Sequence, residues 1–387
     1  MPSLFRVVLV AAVFIVAKSQ AQSIDSLNEV LDTAKNHSRV KTLNELFRAH
    51  LPSDPLKAIG YSREALSYAT EVGDQKGLAA SYNNLGVAYR TQGALDKALE
   101  YYINSLHIYE SLDNKEGIAT SKNNIANIYT MKRDYSQALK YLQDSHELFT
   151  EINDTLKIIG SLNNIGNLNN ELLLFENALE YYTKAQELSA KIGHKYPDPL
   201  TNIGNIYFKE KNYQRAVEFY EKALVLEEEA RNKEGILGII TNLAVTFTKA
   251  RQPVPAQRYL DQGFQLCNEI QAFSVLPALY KAQAENYGNQ GKFKDAYEVQ
   301  LKYDEARERM FGEESTRAIA QMELLLSFEE KEKEFELLKK DDEVKTLELH
   351  KTRLIILIVI LAVLISLGVL NYTYLAPKKS GRKKTPA

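Results

Sequence analysis

Between about residue 40 and residue 312 apolar residues recur at intervals of three and four, the spacing of one face of a helix. Short polar stretches such as TQGALD (91–96) and LDNKEGI (112–118) interrupt the pattern. A longer period lies over the helical one. Asn84 is matched by Asn124, Asn164, Asn202 and Asn242, at steps of 40, 40, 38 and 40 residues. After four of the five Asn come an apolar residue, a small residue and then an aromatic: Leu85, Gly86, Tyr89; Ile125, Ala126, Tyr129; Ile203, Gly204, Tyr207; Leu243, Ala244, Phe247. An alanine follows in every unit (Ala98, Ala138, Ala178, Ala216, Ala256), and four residues later a large side chain (Tyr102, Leu142, Tyr182, Tyr220, Leu260). This predicts two antiparallel helices per unit, brought together by the small residues, with the aromatics wedged into the next pair. Gly93 suits the left-handed residue that ends the first helix. No such unit buries its apolar stripe alone, so stacking must supply the core.

The order of large, small, Tyr, Ala, aromatic and Ala resembles the tetratricopeptide repeat, in its longer-period branch that includes kinesin light chain. The resemblance runs from about Val40 to Gly312. It implies an all-α superhelical solenoid of about seven units, five of them strong. The first unit keeps Ala58 and Ala65 but little else, as a cap would. The last keeps Ala284, Tyr287, Gly291 and Ala296 but has Ala282 in place of the Asn. In the fourth unit Leu173 replaces the turn glycine and Asn169 the aromatic, and Pro253 and Pro255 fall at the sixth turn.

Asn forgoes about 0.6 kcal/mol of helix propensity against Ala, so the five anchors together cost about 3 kcal/mol and call for a role. In this repeat family the first helix of each pair lines a concave groove. The resemblance therefore places Asn84, Asn124, Asn164, Asn202 and Asn242 in one row, flanked by Asn83, Asn123 and Asn163 on one side and by Asn127, Asn167 and Asn205 on the other. A carboxamide both donates and accepts, so it can pair with the N–H and C=O of one peptide unit. Peptide-binding members such as kinesin light chain and bacterial quorum-sensing receptors use Asn in this way, which implies a protein or extended-peptide partner here. Two other readings stand beside it: hydrogen bonds to neighbouring helices, or repeat consensus without a present role.

The ends differ from the array. Residues 1–21, with Arg6, the apolar run Val7–Ala17 and small residues at Ser19 and Ala21, read as a secretory signal peptide, with an uncleaved anchor or a buried strand as the alternative. Residues 22–39 form an N-terminal segment. Residues 354–376 open with LIILIVILAVLISLGVL and make about 23 residues or roughly 34 Å of helix, enough to span a bilayer. The tail, 377–387, carries Lys378, Lys379, Arg382, Lys383 and Lys384. Export of the N-terminal side would place the array outside, periplasmic in a Gram-negative bacterium, and the tail in the cytoplasm. The formal charge of the whole chain is −2, which leaves −9 between the two basic ends. An acidic exported array is a poor nucleic-acid partner.

Residues 313–353 lack Gly and Pro. Phe328, Phe335 and Leu349 fall on a seven-residue spacing with Leu324 and Leu338 at its partner position, but Lys331, Asp342 and Lys345 interrupt it. A homodimeric coiled-coil stalk and a single solvated helix both remain open. The layout resembles the periplasmic sensor half of bacterial tetratricopeptide receptors, in which a span leads to a kinase or a regulator domain; only about eleven residues follow the span here. No phosphate loop, dinucleotide fingerprint, zinc motif or nucleophile elbow occurs. The sole cysteine, Cys267, sits on an apolar helix face. The expectation is a non-enzymatic, cofactor-free, single-pass membrane protein that binds a protein or peptide in its groove, as scaffold or ligand sensor. A structural envelope subunit, or a truncated sensor kinase or regulator, is the alternative.

Overall fold

The computed structural model describes residues 24–51 and 53–375; the expected signal peptide and basic tail lie outside them. The described residues are helical throughout apart from turns. A helix α1 (24–33) leads into α2 (Asn36–His50) and α3 (Pro55–Val72), and these are followed by α4 (Gln75–Thr91) and α5 (Leu95–Ser111), α6 (Lys115–Met131) and α7 (Tyr135–Glu151), α8 (Thr155–Glu171) and α9 (Phe175–Lys191). The series continues with α10 (Asp198–Lys209) and α11 (Tyr213–Ala230), α12 (Lys233–Lys249) and α13 (Pro253–Ile270), a 3-10 turn (Phe273–Val275), α14 (Leu276–Asn289) and α15 (Phe293–Leu375). The fold is a tetratricopeptide-like solenoid. The chain divides into two compact units, one up to Leu324 and one from Leu325. Within the second, the stretch Val344–Val369 is long and apolar enough to cross a membrane.

Local chemistry explains the start of many of the helices. Asp74, Asn114, Asp134, Asp154, Asn212 and Asn232 each accept a hydrogen bond from the backbone N–H three residues on. Such a cap stabilises by about 1 kcal/mol. Pro253 does not sit in a turn as the sequence pattern placed it. It opens α13, where a missing N–H costs nothing.

The helix ends follow a stricter rule than glycine content. Left-handed residues stand at 73, 93, 113, 133, 153, 173 and 193, then at 211, 231, 251, 271 and 291. The step is twenty throughout except for one of eighteen, and only four of these twelve residues are glycine. Leu173 takes φ 59° all the same. The N–H of Leu174 closes the turn on the Asn169 carbonyl at 2.9 Å, as glycine-ended helices do.

Inside each unit one side chain sets the approach of the two helices. A Cβ built on Gly86, Gly166 or Gly204 would lie 2.6 Å from the ring of Tyr102, Tyr182 or Tyr220, sixteen residues on. Where the second helix carries Leu142 or Leu260 instead, the first carries Ala126 or Ala244. Volume is thus conserved across each contact, as close packing requires. The recurring aromatic does not wedge into the next pair, as expected from sequence. It stacks within its own unit: Tyr89 on Tyr101, Tyr129 on Tyr141, Tyr207 on Phe219 and Phe247 on Tyr259, with centroids 5.3–5.7 Å apart. First helices of successive units meet (α2 with α4, α8 with α10, α12 with α14), whereas second helices hardly do. The first helices therefore form the closer-packed wall of the array.

Candidate functional site

The wall of first helices carries the asparagines. Each anchor lies one residue before a buried apolar position such as Leu85 or Ile125, so it sits at the edge of the core stripe, facing the preceding unit. There four of the five meet another carboxamide. Asn84 Nδ2 donates to Asn44 Oδ1 at 2.8 Å, Asn124 to Asn83 at 2.8 Å, Asn164 to Asn123 at 3.0 Å and Asn202 to Asn163 at 3.2 Å. Four successive interfaces from α2 to α10 are thus clasped side chain to side chain. At the last three, the flanking Asn of one unit accepts from the anchor of the next. Asn44 was missed in the sequence because its unit lacks the apolar, small and aromatic residues that mark the others. Its position exactly one period before Asn84 is the signal that finds it.

The clasp uses half of each carboxamide. The three anchors Asn124, Asn164 and Asn202 have Oδ1 atoms that accept from no described residue, and Asn83, Asn123 and Asn163 have Nδ2 groups that donate to none. None of these atoms is sealed from solvent without a partner. The α4–α6 and α6–α8 interfaces therefore each leave one acceptor and one donor on half-buried residues, whereas at α8–α10 the donor belongs to Asn163, which is only 5% exposed. Exchanging O and N across a clasp would leave the same complement.

The row three residues beyond the anchors behaves differently in each unit. Asn167 Oδ1 accepts from Tyr182 Oη at 2.7 Å and from Asn202 Nδ2 at 3.1 Å, and Asn205 Oδ1 accepts from Tyr220 Oη at 2.7 Å. Burial raises the pKa of both phenols, with the charge of Glu171 adding to the effect on Tyr182. Asn127 has Leu142 where the others have Tyr, and no described residue pairs with it. In α4 the equivalent residue is Val87, and Tyr102 buries its hydroxyl without a hydrogen-bond partner. Burial lifts the Tyr102 pKa, and the nearby Arg90 guanidinium opposes that lift.

The clasp stops at α10, because Thr201 stands where a flanking Asn would receive Asn242. Asn242 is half-buried, and its side-chain amide bonds to no described residue. The C-terminal units are joined by an apolar cluster instead, built around Leu237, Leu243, Tyr259, Leu260 and Leu279. Sequence reasoning also missed His146, whose Nδ1 lies 2.7 Å from Ser161 Oγ across the α7–α8 interface. Burial pushes the His146 pKa down. Cys267 is fully buried, with Sγ 3.2 Å from the Ala272 carbonyl and its thiol pKa raised by burial. Among the described residues no three His, Cys, Asp or Glu side chains are grouped to hold a metal ion.

Two family descriptions, both tetratricopeptide repeat, match the chain: one over residues 53–111, 78–151 and 117–191, the other over 197–229. Curated protein sequences give no match. Among solved structures, the apo form of RapI is 18% identical with a TM-score of 0.55, covering 70% of this chain and 99% of its own. Aspartyl phosphate phosphatase F from Bacillus subtilis is 15% identical with a TM-score of 0.54, covering 70% and 71%. A Signal Transduction ATPase with Numerous Domains protein with a tetratricopeptide repeat sensor, from Pyrococcus horikoshii, is 19% identical with a TM-score of 0.65; the match covers 80% of this chain and 48% of that one. At these identities the likeness is one of fold. The repeat period, the Gly–Tyr and Ala–Leu helix contacts and the matches to repeat family and solved folds agree: residues 53–191 and 197–229 are tetratricopeptide repeats.

Proposed function

We propose that the first-helix wall binds an extended peptide or protein segment by its backbone, and that the chain does so as a membrane-anchored component of a signalling or scaffolding system. The observation that carries this reading is the arrangement left over after the clasps form. A peptide unit presents one N–H and one C=O, and the pairs Asn83 with Asn124 and Asn123 with Asn164 each leave one donor and one acceptor on half-buried residues, with the Asn202 acceptor beside the buried Asn163 continuing the row. Asn127 and Asn242 extend the row with amides that have no described partner. Clasping also fixes the rotamers, so less side-chain entropy is lost when a ligand docks. The membrane anchor rests on the apolar stretch Val344–Val369. In this reading the array is exported, the tail is cytoplasmic, and a dimeric stalk over 313–353 passes the signal.

The clasps themselves favour a second reading, in which the amides only space the units and partners meet other surfaces. A cross-linked pull-down from intact membranes separates the two. It compares wild type with the combined Asn124→Ala, Asn164→Ala, Asn202→Ala variant, with folding checked by circular dichroism. Loss of a partner in a folded variant supports the groove. The same partners at the same yield would assign the amides to repeat spacing.

A further inference from the structure

Three departures from the repeat converge where α9, α10 and α11 meet. The first is in the backbone: α10 has 12 residues where α4, α6, α8 and α12 have 17, so its opening turns are missing and residues 194–197 cross as a loop. The second concerns the side chain that fills this space elsewhere. Tyr109 packs against Gly117 so tightly that a Cβ there would lie 2.4 Å from the ring, and Phe149 is its counterpart in the next unit. In α9 the position is Ser189, whose hydroxyl turns away to donate to the His194 carbonyl at 2.6 Å. The third is on α11: Val225 is 52% exposed, while the equivalent residues are His107, Glu147, Glu187 and Gln265.

Together they open a cavity of about 480 Å³ walled by Ala190, Tyr196, Leu200, Val225 and Leu226. No Asp or Glu lines it, and two lysines, Lys195 and Lys222, are among its lining residues. The ammonium groups pair with Glu229 at 2.8 Å and Glu218 at 2.7 Å, carboxylates outside the lining that are about half exposed, and that of Lys222 also lies 4.9 Å over the Phe219 ring. Exposed pairs of this kind are worth little and exchange readily. Burial and the charge of Asp198 push the Tyr196 phenol up to about 12, so that wall of the cavity stays neutral.

We propose that this cavity is a binding site for a small apolar carboxylic acid. The hydrocarbon body would cover Val225, Leu226 and Ala190, and the carboxylate would replace a glutamate on Lys195 or Lys222. A site with an apolar body and a few placed polar groups is the usual make-up of a small-ligand pocket. It owes nothing to the amide row and stands or falls apart from it.

The test uses the full chain in lipid nanodiscs and the photoreactive acid 4-benzoylbenzoate, with labelled peptides mapped by mass spectrometry. Saturable labelling of residues 186–226 is expected. It should fall at least tenfold with neutral 4-methylbenzophenone and at least tenfold in Val225→Glu. That variant restores the residue type of Glu147 and Glu187 and so keeps the fold, which circular dichroism checks. Lys195→Gln combined with Lys222→Gln should weaken labelling by the acid and leave labelling by the neutral probe unchanged. Unsaturable labelling, labelling confined to the span, or equal labelling of wild type and Val225→Glu would each overturn the proposal.

Discussion

Tyr102 and Tyr220 are the same side chain in the same packing, differing in one acceptor. Both are buried to 2% exposure or less, and both rings lie against a glycine that leaves no room for a Cβ. Tyr220 donates to Asn205 at 2.7 Å, whereas the α4 residue at the position of Asn205 is Val87 and the Tyr102 hydroxyl has no hydrogen-bond partner. Removing a hydroxyl should therefore have opposite signs at the two sites. Tyr220→Phe loses a net hydrogen bond and should cost about 1 kcal/mol. Tyr102→Phe removes a buried unpaired hydroxyl, whose desolvation costs about 1–3 kcal/mol, and should stabilise by about 1 kcal/mol because Arg90 nearby offsets part of that penalty. Val87→Asn supplies the missing acceptor. In that background Tyr102→Phe should turn destabilising, giving a coupling energy of about 2 kcal/mol. Repeat arrays open unit by unit, so a global midpoint blurs the effect. Native-state hydrogen exchange of the α4–α5 and α10–α11 amides reads each pair separately. Equal loss of protection from Tyr102→Phe and Tyr220→Phe would refute the argument, since it would mean that the Tyr102 hydroxyl is bonded after all.

Other consequences follow from single contacts. Gly166→Ala forces a Cβ to 2.6 Å from the Tyr182 ring and should destabilise by about 1–3 kcal/mol. Adding Tyr182→Leu recreates the Ala126–Leu142 combination and should recover most of that in a urea titration. Leu173 is 69% exposed in a left-handed conformation, so Leu173→Gly loses almost no packing and should stabilise by about 1 kcal/mol; a melt no higher than wild type would count against it. His146 has its folded pKa below the unfolded 6.5 through burial. Its neutral form is the one that fits, so its contribution is complete above pH 6.5 and is lost as pH falls through the folded value. His146→Gln should flatten that part of the stability–pH curve at the α7–α8 interface, measured by hydrogen exchange between pH 7 and pH 5.

The sequence by itself determined the array. A 40-residue period over a helical one leaves only stacked helix pairs as a way to bury every stripe. It also located the anchor row, because a polar residue repeated at one edge of a core stripe must share one surface. Tertiary structure decided what those residues do. Which carboxamide atom pairs with which depends on placement between units to a fraction of an ångström, and residue spacing carries no such information. The same holds for Asn44, for the orphaned Tyr102 hydroxyl and for the cavity beside Val225, each set by what the neighbouring unit supplies or omits. The clearest case is the left-handed residue at every twentieth position. Sequence favours glycine there, yet Leu173, Lys211 and Arg231 adopt it, because the packing of two helices against their neighbours outweighs the roughly 1–2 kcal/mol cost of the turn.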